Sequence, residues 1–125
     1  MAQEFKIEII SPNEKIYSGN IEEAILPCFE GQVTILKDHI PFITFLRPGL
    51  IDVGKNEKFY VEEGTIEFSN NVLLILSATV QNLKSIKIEQ VKTMISETEK
   101  KLLTSQSDKQ KYILSHKLDS LKQIN

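Results

Sequence analysis

The sequence contains few of the residues that build disulfides, metal sites and membrane spans. Among its 125 residues there are one cysteine and two histidines. The lone Cys28 excludes a disulfide within the chain and a zinc site made from several cysteines, and it suits a reducing compartment. The longest unbroken apolar run covers residues 72–76, whereas a helix needs ~20 such residues to cross a bilayer. No basic region followed by an apolar stretch opens the chain, so we expect an intracellular protein without a secretory signal.

The charge of −2 for the whole chain conceals two segments of opposite sign. Residues 1–83 contain six basic and twelve acidic side chains, a net charge of −6, whereas residues 84–125 contain nine lysines and five acidic side chains, a net charge of +4. This change of sign suggests two segments with different surroundings, although a lysine-rich helix surface would give the same pattern. With 41% hydrophobic and 26% charged residues, the composition is that of a soluble globular protein.

Before residue 84, hydrophobic and polar residues alternate in short stretches, which is typical of β-strands. Phe5, Ile7 and Ile9 give the clearest alternation. About nine such stretches, separated by Gly, Pro and Asn at intervals of ~8–12 residues, predict an antiparallel β-sandwich of about nine to ten strands. We also expect a turn or bulge at Gly19, a hairpin joined at Glu63 and Gly64, and a tight turn at Asn70 and Asn71.

Beyond residue 85 the hydrophobic residues recur at the spacing of a helix. Ile88, Val91, Ile95 and Leu102 lie three, four and seven residues apart and form one apolar stripe, which Thr98 interrupts. The stripe is therefore thin, and we expect the helix to pack weakly against whatever covers it.

A second helical segment starts at Ser107, which has the spacing of an N-cap in a capping box with Gln110. Leu114, Leu118 and Leu121 then form its apolar stripe. The two helices, of ~17 and ~15 residues, are separated by three residues, which predicts an antiparallel hairpin. The sequence thus predicts a mainly β fold with α, in two domains: a β-sandwich over residues 1–84 and an α-helical hairpin over residues 85–125.

Short motifs along the chain resemble one known family. Residues 26–31 are Leu-Pro-Cys-Phe-Glu-Gly, and after seven intervening residues, residues 39–41 are His-Ile-Pro. Together they resemble the Leu-Pro-Gly-x-Glu-Gly and Gly-His-Ala-Pro signature of the epsilon subunit of F-type ATP synthases, which is called delta in mitochondria. Residues 46–49, Leu-Arg-Pro-Gly, resemble its Leu-Lys-Pro-Gly step. Cys28 and Asp38 stand where the family usually has glycine, and Asp tolerates unusual φ values better than most residues.

The resemblance implies a function in a rotor. The family's sandwich links the gamma subunit to the ring of c subunits, so the chain is expected to be a non-catalytic central-stalk subunit that couples proton-driven rotation to ATP synthesis. It implies a peripheral location on the cytoplasmic face of a bacterial inner membrane, reached through the complex. The expected ring contacts are Phe29, Glu30, Gly31, Asp38, His39 and Ile40, and the expected gamma contacts are Ser11 and Thr44.

The hairpin carries the regulatory part of this resemblance. In relatives it folds on the sandwich or extends along gamma and blocks ATP hydrolysis by touching beta subunits, and some relatives bind ATP through an Ile/Leu-Asp-x-x-Arg-Ala motif. The matching residues here are Ile88, Glu89 and Lys92. Lysine lacks the planar fork with which arginine grips phosphate, so we expect no bound cofactor and weak inhibition or none, while the preferred state of the hairpin is left open.

The residues alone give little support to an enzyme. His39 beside Asp38 is a candidate general base, but neighbours on extended backbone point to opposite faces. We expect His116 to be solvated, and Glu30 would raise the pKa of the Cys28 thiol and not activate it. A sandwich of net charge −6 does not suit nucleic acid. What remains is a binding module, either the rotor subunit or, as an alternative, a free-standing β-sandwich that binds a ligand.

Overall fold

The computed structural model describes residues 3–124, and within them ten β-strands precede two α-helices. The strands and helices are β1 (Phe5–Ile10), β2 (Lys15–Ile21), β3 (Glu23–Cys28), β4 (Gly31–Leu36), β5 (Phe42–Leu46), β6 (Gly49–Asp52), β7 (Lys58–Val61), β8 (Gly64–Ser69), β9 (Val72–Leu76), β10 (Gln81–Asn82), α1 (Ile88–Thr104) and α2 (Asp108–Ile124). A short 3₁₀ turn, Leu83–Ser85, joins the last strand to the helices.

The strands form one curled sheet in the order β10-β7-β6-β3-β5-β8-β9-β1-β2, with β4 paired to β3. The sheet bends at β3, which pairs with β4 along its whole length and also meets β6 at Ile25 and β5 at Cys28. The inward-facing residues of β1 to β9 form one apolar core. Because alternate residues of each strand face this core, the mainly β sandwich predicted from the alternating pattern is confirmed.

Three details of the strand prediction are wrong. Gly19 lies inside β2 without a turn, because the chain reverses elsewhere, between β1 and β2 at Ser11–Glu14. The pair β1 and β9 is parallel, with Ile7 opposite Leu73, so the sandwich is not purely antiparallel. The strands β7 and β8 do not form a hairpin, since β7 pairs with β6 and β10 whereas β8 pairs with β5 and β9.

Residues 62–63 connect β7 to β8, which pair with different strands, and hydroxyl groups stabilise this connection. The Thr79 hydroxyl accepts hydrogen bonds from the backbone N–H of Glu62 (2.9 Å) and of Glu63 (3.3 Å), and the Ser77 hydroxyl donates to the Glu63 carbonyl (2.7 Å). Side chains thereby satisfy backbone groups that a hairpin would have paired. Gly64 follows with φ 151°, where a Cβ atom would lie 2.5 Å from the Leu76 carbonyl oxygen, so this position requires glycine.

The two helices form the predicted hairpin, and each has 17 residues. The Ser107 hydroxyl accepts from the backbone N–H of Gln110 at 3.0 Å, as the predicted N-cap requires. Thr98 does not interrupt the apolar face: it is buried, and its hydroxyl donates to the Met94 carbonyl of its own helix at 2.7 Å. The hydroxyl is satisfied locally, so the threonine methyl group can pack like an apolar residue.

The hairpin rests on the sandwich through a second, small core. This core consists of Tyr60 from β7, Val91 from α1 and Leu121 from α2, all fully buried, with partly buried neighbours around them. The side chain of Tyr60 points away from the main core, so β7 contributes to both cores. The surface that covers the thin apolar stripes of the hairpin is therefore the chain's own sandwich.

Candidate functional site

The β3–β4 turn holds the first group of predicted ring contacts, Phe29, Glu30 and Gly31. The backbone N–H of Phe29 donates to the Phe45 carbonyl at 2.9 Å. The hydroxyl of Thr44 lies 2.9 Å from both carboxylate oxygens of Glu30. The structure therefore joins a residue predicted for the ring to one predicted for gamma, and Thr44 is on the inward face of its strand, opposite the buried Ile66.

Phe29 lies against the hairpin. Its ring packs on that of Tyr112 in α2, with 5.2 Å between the ring centroids. The Tyr112 hydroxyl donates to the Phe29 carbonyl and accepts from the Arg47 guanidinium at 3.0 Å. Phe29 is consequently half-buried, and its assignment to the ring stays a prediction for a state in which the hairpin lies elsewhere.

The second group, Asp38, His39 and Ile40, lies in the loop of residues 37–41 between β4 and β5. Asp38 adopts φ 66°, so the premise that Asp38 and His39 lie on extended backbone is wrong. The His39 Nδ1 donates to the Ile40 carbonyl at 2.8 Å, and its ring packs 5.3 Å from that of Phe42. This histidine is oriented by its own loop and by an aromatic ring, an arrangement without the carboxylate that orients a general base.

The structure keeps the two groups of predicted ring contacts apart. They lie at opposite ends of β4, whose six residues span ~17 Å at ~3.3 Å per residue. Ile40 is 76% exposed. Any single partner that touches both Glu30 and Ile40 must cover the length of that strand.

An exposed apolar row crosses the outer face of four neighbouring strands. Phe45, Thr65, Leu76 and Ile10 lie opposite one another on β5, β8, β9 and β1. Phe45 is 65% exposed and Leu76 is 44% exposed, and Ile43 beside them is 74% exposed. We call these residues, Ile10, Ile43, Phe45, Thr65 and Leu76, the outer apolar row.

The predicted gamma contact Ser11 lies directly at the end of the outer apolar row. It follows Ile10, and its hydroxyl is bonded to the backbone of Glu14 in the β1–β2 turn. Sequence reasoning missed Phe45 and Leu76. The signal was present, because the stretch of residues 42–46 is apolar at every position except Thr44, and a strand with one solvated face should show polar residues at alternate positions.

The hairpin is held on the sandwich by polar contacts around its small core. The Lys117 ammonium lies 3.3 Å from the Glu62 carboxylate, which also accepts from the Tyr60 hydroxyl at 3.1 Å. Burial, with the nearby charge of Glu62, raises the pKa of Tyr60 far above its usual range, so it stays a neutral donor. The second-helix residues Tyr112 and Lys117 thus bond to two different parts of the sandwich.

His116 is not solvated as the sequence suggested. It is half-buried and lies edge-on to the Tyr112 ring, with 4.5 Å between ring centroids. Burial, and then the Arg47 charge, lower the pKa of His116. Burial also raises the pKa of Cys28 to about 11, and Glu30 adds to this shift. The expected direction for Cys28 is right, but burial is the larger cause.

The residues that match the nucleotide motif do not form a site in this arrangement. Ile88, Glu89 and Lys92 are exposed in the first turns of α1. Between residues 3 and 124, neither Glu89 nor Lys92 is hydrogen-bonded or ion-paired to α2 through its side chain, although nucleotide binding between the helices would use both. In that same part of the chain, His, Cys, Asp and Glu side chains form no group of three that could hold a metal. Within it, neither helix has the length and apolar character needed to cross a membrane.

Comparisons with known proteins address the fold and the family. Residues 4–83 match the sequence model of the family described as ATP synthase, Delta/Epsilon chain, beta-sandwich domain. The ATP synthase epsilon chain of Pelagibacter ubique (strain HTCC1062) is 38% identical over an alignment of 130 positions that covers 100% of both chains. That of Bradyrhizobium sp. (strain ORS 278) is 34% identical, covering 83% of this chain and 79% of the relative.

Solved structures agree on the fold. A chain of the Euglena gracilis mitochondrial ATP synthase, OSCP/F1/c-ring in rotational state 1, superposes with a TM-score of 0.73 at 16% identity, covering 95% of this chain and 78% of the other. A chain of the Tetrahymena thermophila mitochondrial ATP synthase central stalk/cring gives 0.55 at 17% identity, covering 70% and 73%. The resemblance carried by residues 26–31 and 39–41 is confirmed: the chain belongs to the ATP synthase delta/epsilon family.

Proposed function

We propose that this chain is a non-catalytic central-stalk subunit of a proton-translocating ATP synthase, in which it joins the gamma subunit to the ring of c subunits. Its relatives are named ATP synthase epsilon chains, and the two chains of similar fold belong to mitochondrial ATP synthase assemblies that include the c-ring. The observation in this chain that carries the proposal is the outer apolar row. It supplies a face for a partner on a domain whose own core is already complete.

The outer apolar row has the composition of a protein interface. Large apolar side chains exposed side by side on one sheet face mark interaction sites, whereas single exposed ones are ordinary. Aromatic and aliphatic anchors near the centre of such a patch carry most of the binding energy. Phe45 lies at the β5 end of the row and Leu76 near its middle. The carboxylates Glu67 on β8 and Glu8 on β1 lie beside the row on the same face, and Glu8 is engaged by Lys6 and Lys15, so the apolar side chains have polar neighbours, as an interface does at its rim. We assign this face to gamma, together with Ser11.

The ring contacts are assigned to the two turns at the ends of β4. Glu30 in one turn and Ile40 in the other are exposed, and their separation suits a broad partner such as a ring of many copies. The sandwich between them is close-packed, and close-packed interiors deform little under load. A stiff sandwich that binds gamma through the outer apolar row and the ring through these turns can transmit rotation without making or breaking a covalent bond.

The chain divides by function at residue 84. Residues 1–84 form the attachment domain and residues 85–125 form a hairpin that acts as a separable, regulatory domain. The small core and the polar contacts of Tyr112 and Lys117 support a docked hairpin that can leave the sandwich without unfolding it. The subunit is a peripheral component of a membrane complex, placed on the cytoplasmic face of a bacterial inner membrane.

A binding experiment tests the assignment of the face. The full chain is mixed with purified gamma, and the complex is measured by size-exclusion chromatography and calorimetric titration. We expect a one-to-one complex that the double substitution Phe45→Ser, Leu76→Ser weakens by about a thousandfold, because each anchor contributes about 2 kcal/mol. Leu103→Ser is the matched control, since Leu103 is 87% exposed but lies in α1.

Two outcomes would contradict the proposal. Absence of any complex with gamma would remove the rotor function and leave the free-standing ligand-binding module. A complex that Leu103→Ser weakens and the double substitution leaves unchanged would place the interface on the hairpin instead of the outer apolar row.

A further inference from the structure

Asn71, which the sequence suggested merely as a turn residue, connects three separate segments of the chain. It lies in the turn between β8 and β9, and its side-chain oxygen accepts from the backbone N–H of Asp38 at 2.7 Å. Its side-chain nitrogen donates to the Asp38 carboxylate at 2.9 Å. Its backbone carbonyl accepts from the N–H of Lys6 in β1 at 3.0 Å. One amide side chain thus holds Asp38 at two points across 33 residues of sequence.

The loop of residues 37–41 has few internal contacts that could hold its shape. Within the loop, the backbone N–H of His39 donates a hydrogen bond to the Leu36 carbonyl at 3.1 Å. Asp38 has φ 66°, a conformation that costs a non-glycine residue about 1 kcal/mol or more. The other residues of the loop are mostly exposed. A short loop with a left-handed residue and little burial needs an outside anchor to keep one conformation, and the amide of Asn71 is such an anchor.

The anchored loop sets the direction of Ile40. On one side of Asp38 the amide of Asn71 fixes both backbone and carboxylate. On the other side the His39 ring packs against Phe42 and Phe68, at 5.3 and 6.0 Å between ring centroids. With His39 turned inward, the next side chain is directed to solvent, and Ile40 is 76% exposed.

We propose that Asn71 is a positioning residue for the ring contact: through its paired hydrogen bonds to Asp38 it presents Ile40 as the apolar anchor on the ring of c subunits. This inference rests on the proposed function. It assigns a role in attachment to a residue of the β8–β9 turn, which is distant in sequence from the loop of residues 37–41 and acts on that loop through Asp38.

The chemistry of position 71 restricts which residue can fill it. The turn needs positive φ at both central positions, 51° at Asn70 and 58° at Asn71, which asparagine, aspartate and glycine tolerate. The contact with Asp38 needs an acceptor for an N–H and a donor for a carboxylate, and an amide supplies both. Aspartate at position 71 would place two carboxylates together, and glycine would keep the turn but lose the contact.

Adjacent residues of the same turn provide a matched pair of variants. Asn71→Gly and Asn70→Gly remove the same side chain from two left-handed positions, so their effects on the turn are comparable. The first measurement is hydrogen exchange of the Asp38 amide in the isolated full chain, followed by NMR. We expect Asn71→Gly to speed this exchange about tenfold or more and Asn70→Gly to leave it within about twofold, since a lost hydrogen bond of about 1.4 kcal/mol corresponds to tenfold.

The second measurement is attachment of the full chain to a detergent-solubilised rotor made of gamma and the c-ring. We expect Ile40→Ser to weaken attachment about tenfold or more, and Asn71→Gly to weaken it several-fold, whereas Asn70→Gly binds like the unmodified chain. Asn71→Asp should behave like Asn71→Gly.

The outcomes separate the two proposals. If Ile40→Ser weakens attachment but Asn71→Gly and Asn70→Gly bind alike, the positioning role of Asn71 is wrong and the ring contact stands. If Ile40→Ser has no effect on attachment to the rotor while binding to gamma alone is normal, the ring contact of this loop is wrong, and so is the positioning role of Asn71. If the chain binds neither gamma nor the rotor, the proposed function itself is wrong.

Discussion

The sandwich and the hairpin are held together by different amounts of apolar contact. Every strand from β1 to β9 contributes a buried side chain to the sandwich core. The hairpin is docked by a core with three fully buried members, Tyr60, Val91 and Leu121, and by polar contacts at its rim. Because apolar burial is the dominant stabilising term in folding, the sandwich is stable through its own core, whereas the hairpin is docked only weakly. We call the docked hairpin the arm.

The charges of the two regions follow the same division. The ion pair between Lys117 and Glu62 crosses from the positively charged hairpin to the negatively charged sandwich. Such partly exposed pairs contribute about 1 kcal/mol or less. Docking therefore depends on several small contributions, and the loss of any one should shift the hairpin while leaving the sandwich intact.

The largest expected effect is a core substitution in the sandwich. Leu73 is fully buried in β9, and Leu73→Ala should lower the free energy of unfolding by about 3 kcal/mol, because a buried leucine that is truncated leaves a cavity. Urea denaturation followed by circular dichroism measures this. A loss below about 1 kcal/mol would mean that the sandwich core relaxes around the cavity and is less rigid than the comparison requires.

The corresponding substitution in the hairpin should release it without unfolding the sandwich. Leu121 is also fully buried, but it is one of the three fully buried residues of the small core, and Leu121→Ala removes most of its side chain. We expect limited proteolysis to cut residues 85–124 first, while the denaturation midpoint of the sandwich moves by much less than in Leu73→Ala. A single cooperative loss of both regions would contradict the division into a rigid body and a separable arm.

A smaller effect is expected from one hydroxyl group. Tyr112→Phe keeps the ring packed on Phe29 but removes the hydroxyl that bonds Arg47 and the Phe29 carbonyl, so docking should weaken by about 1–2 kcal/mol. Hydrogen exchange of the α2 amides measures the population of the undocked arm. Tyr17→Phe is the control, since Tyr17 packs on Phe59 and its hydroxyl has no hydrogen bond within residues 3–124. Equal effects of both changes would remove the hydroxyl's role.

The sequence predicts the sandwich more completely than the surfaces on it. Alternation at Phe5, Ile7 and Ile9 reports which face of a strand is buried, so strands and core can be inferred locally. Which strands pair is not local: the crossing at residues 62–63 depends on hydroxyls at Ser77 and Thr79, about fifteen residues away. Tight turns such as Asn70 and Asn71 were predictable because positive φ limits the residue type.

The contact residues could be predicted in part. The motifs predicted Glu30 and Ile40 as ring contacts, and both side chains are exposed in the structure, but no pattern in the sequence could reveal that Thr44 faces inward to Glu30 or that Asn71 bonds to Asp38. The outer apolar row was recognisable in principle from a strand apolar on both faces. His116 was misjudged because its burial comes from Tyr112 and from the docked position of α2, which are tertiary features.

The smallest expected effect is a pH dependence of docking through His116. Burial and the Arg47 charge lower the pKa of this histidine in the docked state, so the released arm binds the proton more readily. Docking is then strongest when the histidine is neutral, and it weakens as the pH falls below the ordinary histidine pKa of ~6.5 until the docked form is also protonated.

The groups that face the imidazole ring of His116 are Tyr112 and Asp119 on α2 and Arg47 from the sandwich, and Asp119 opposes the lowering of the pKa. Because intrinsic amide exchange is base-catalysed and slows as the pH falls, the exchange of each α2 amide is compared with its intrinsic rate at the same pH. This ratio should rise from pH 8 to pH 5, and His116→Gln should flatten the rise; a rise of the same size in that variant would assign the pH dependence to the carboxylates instead.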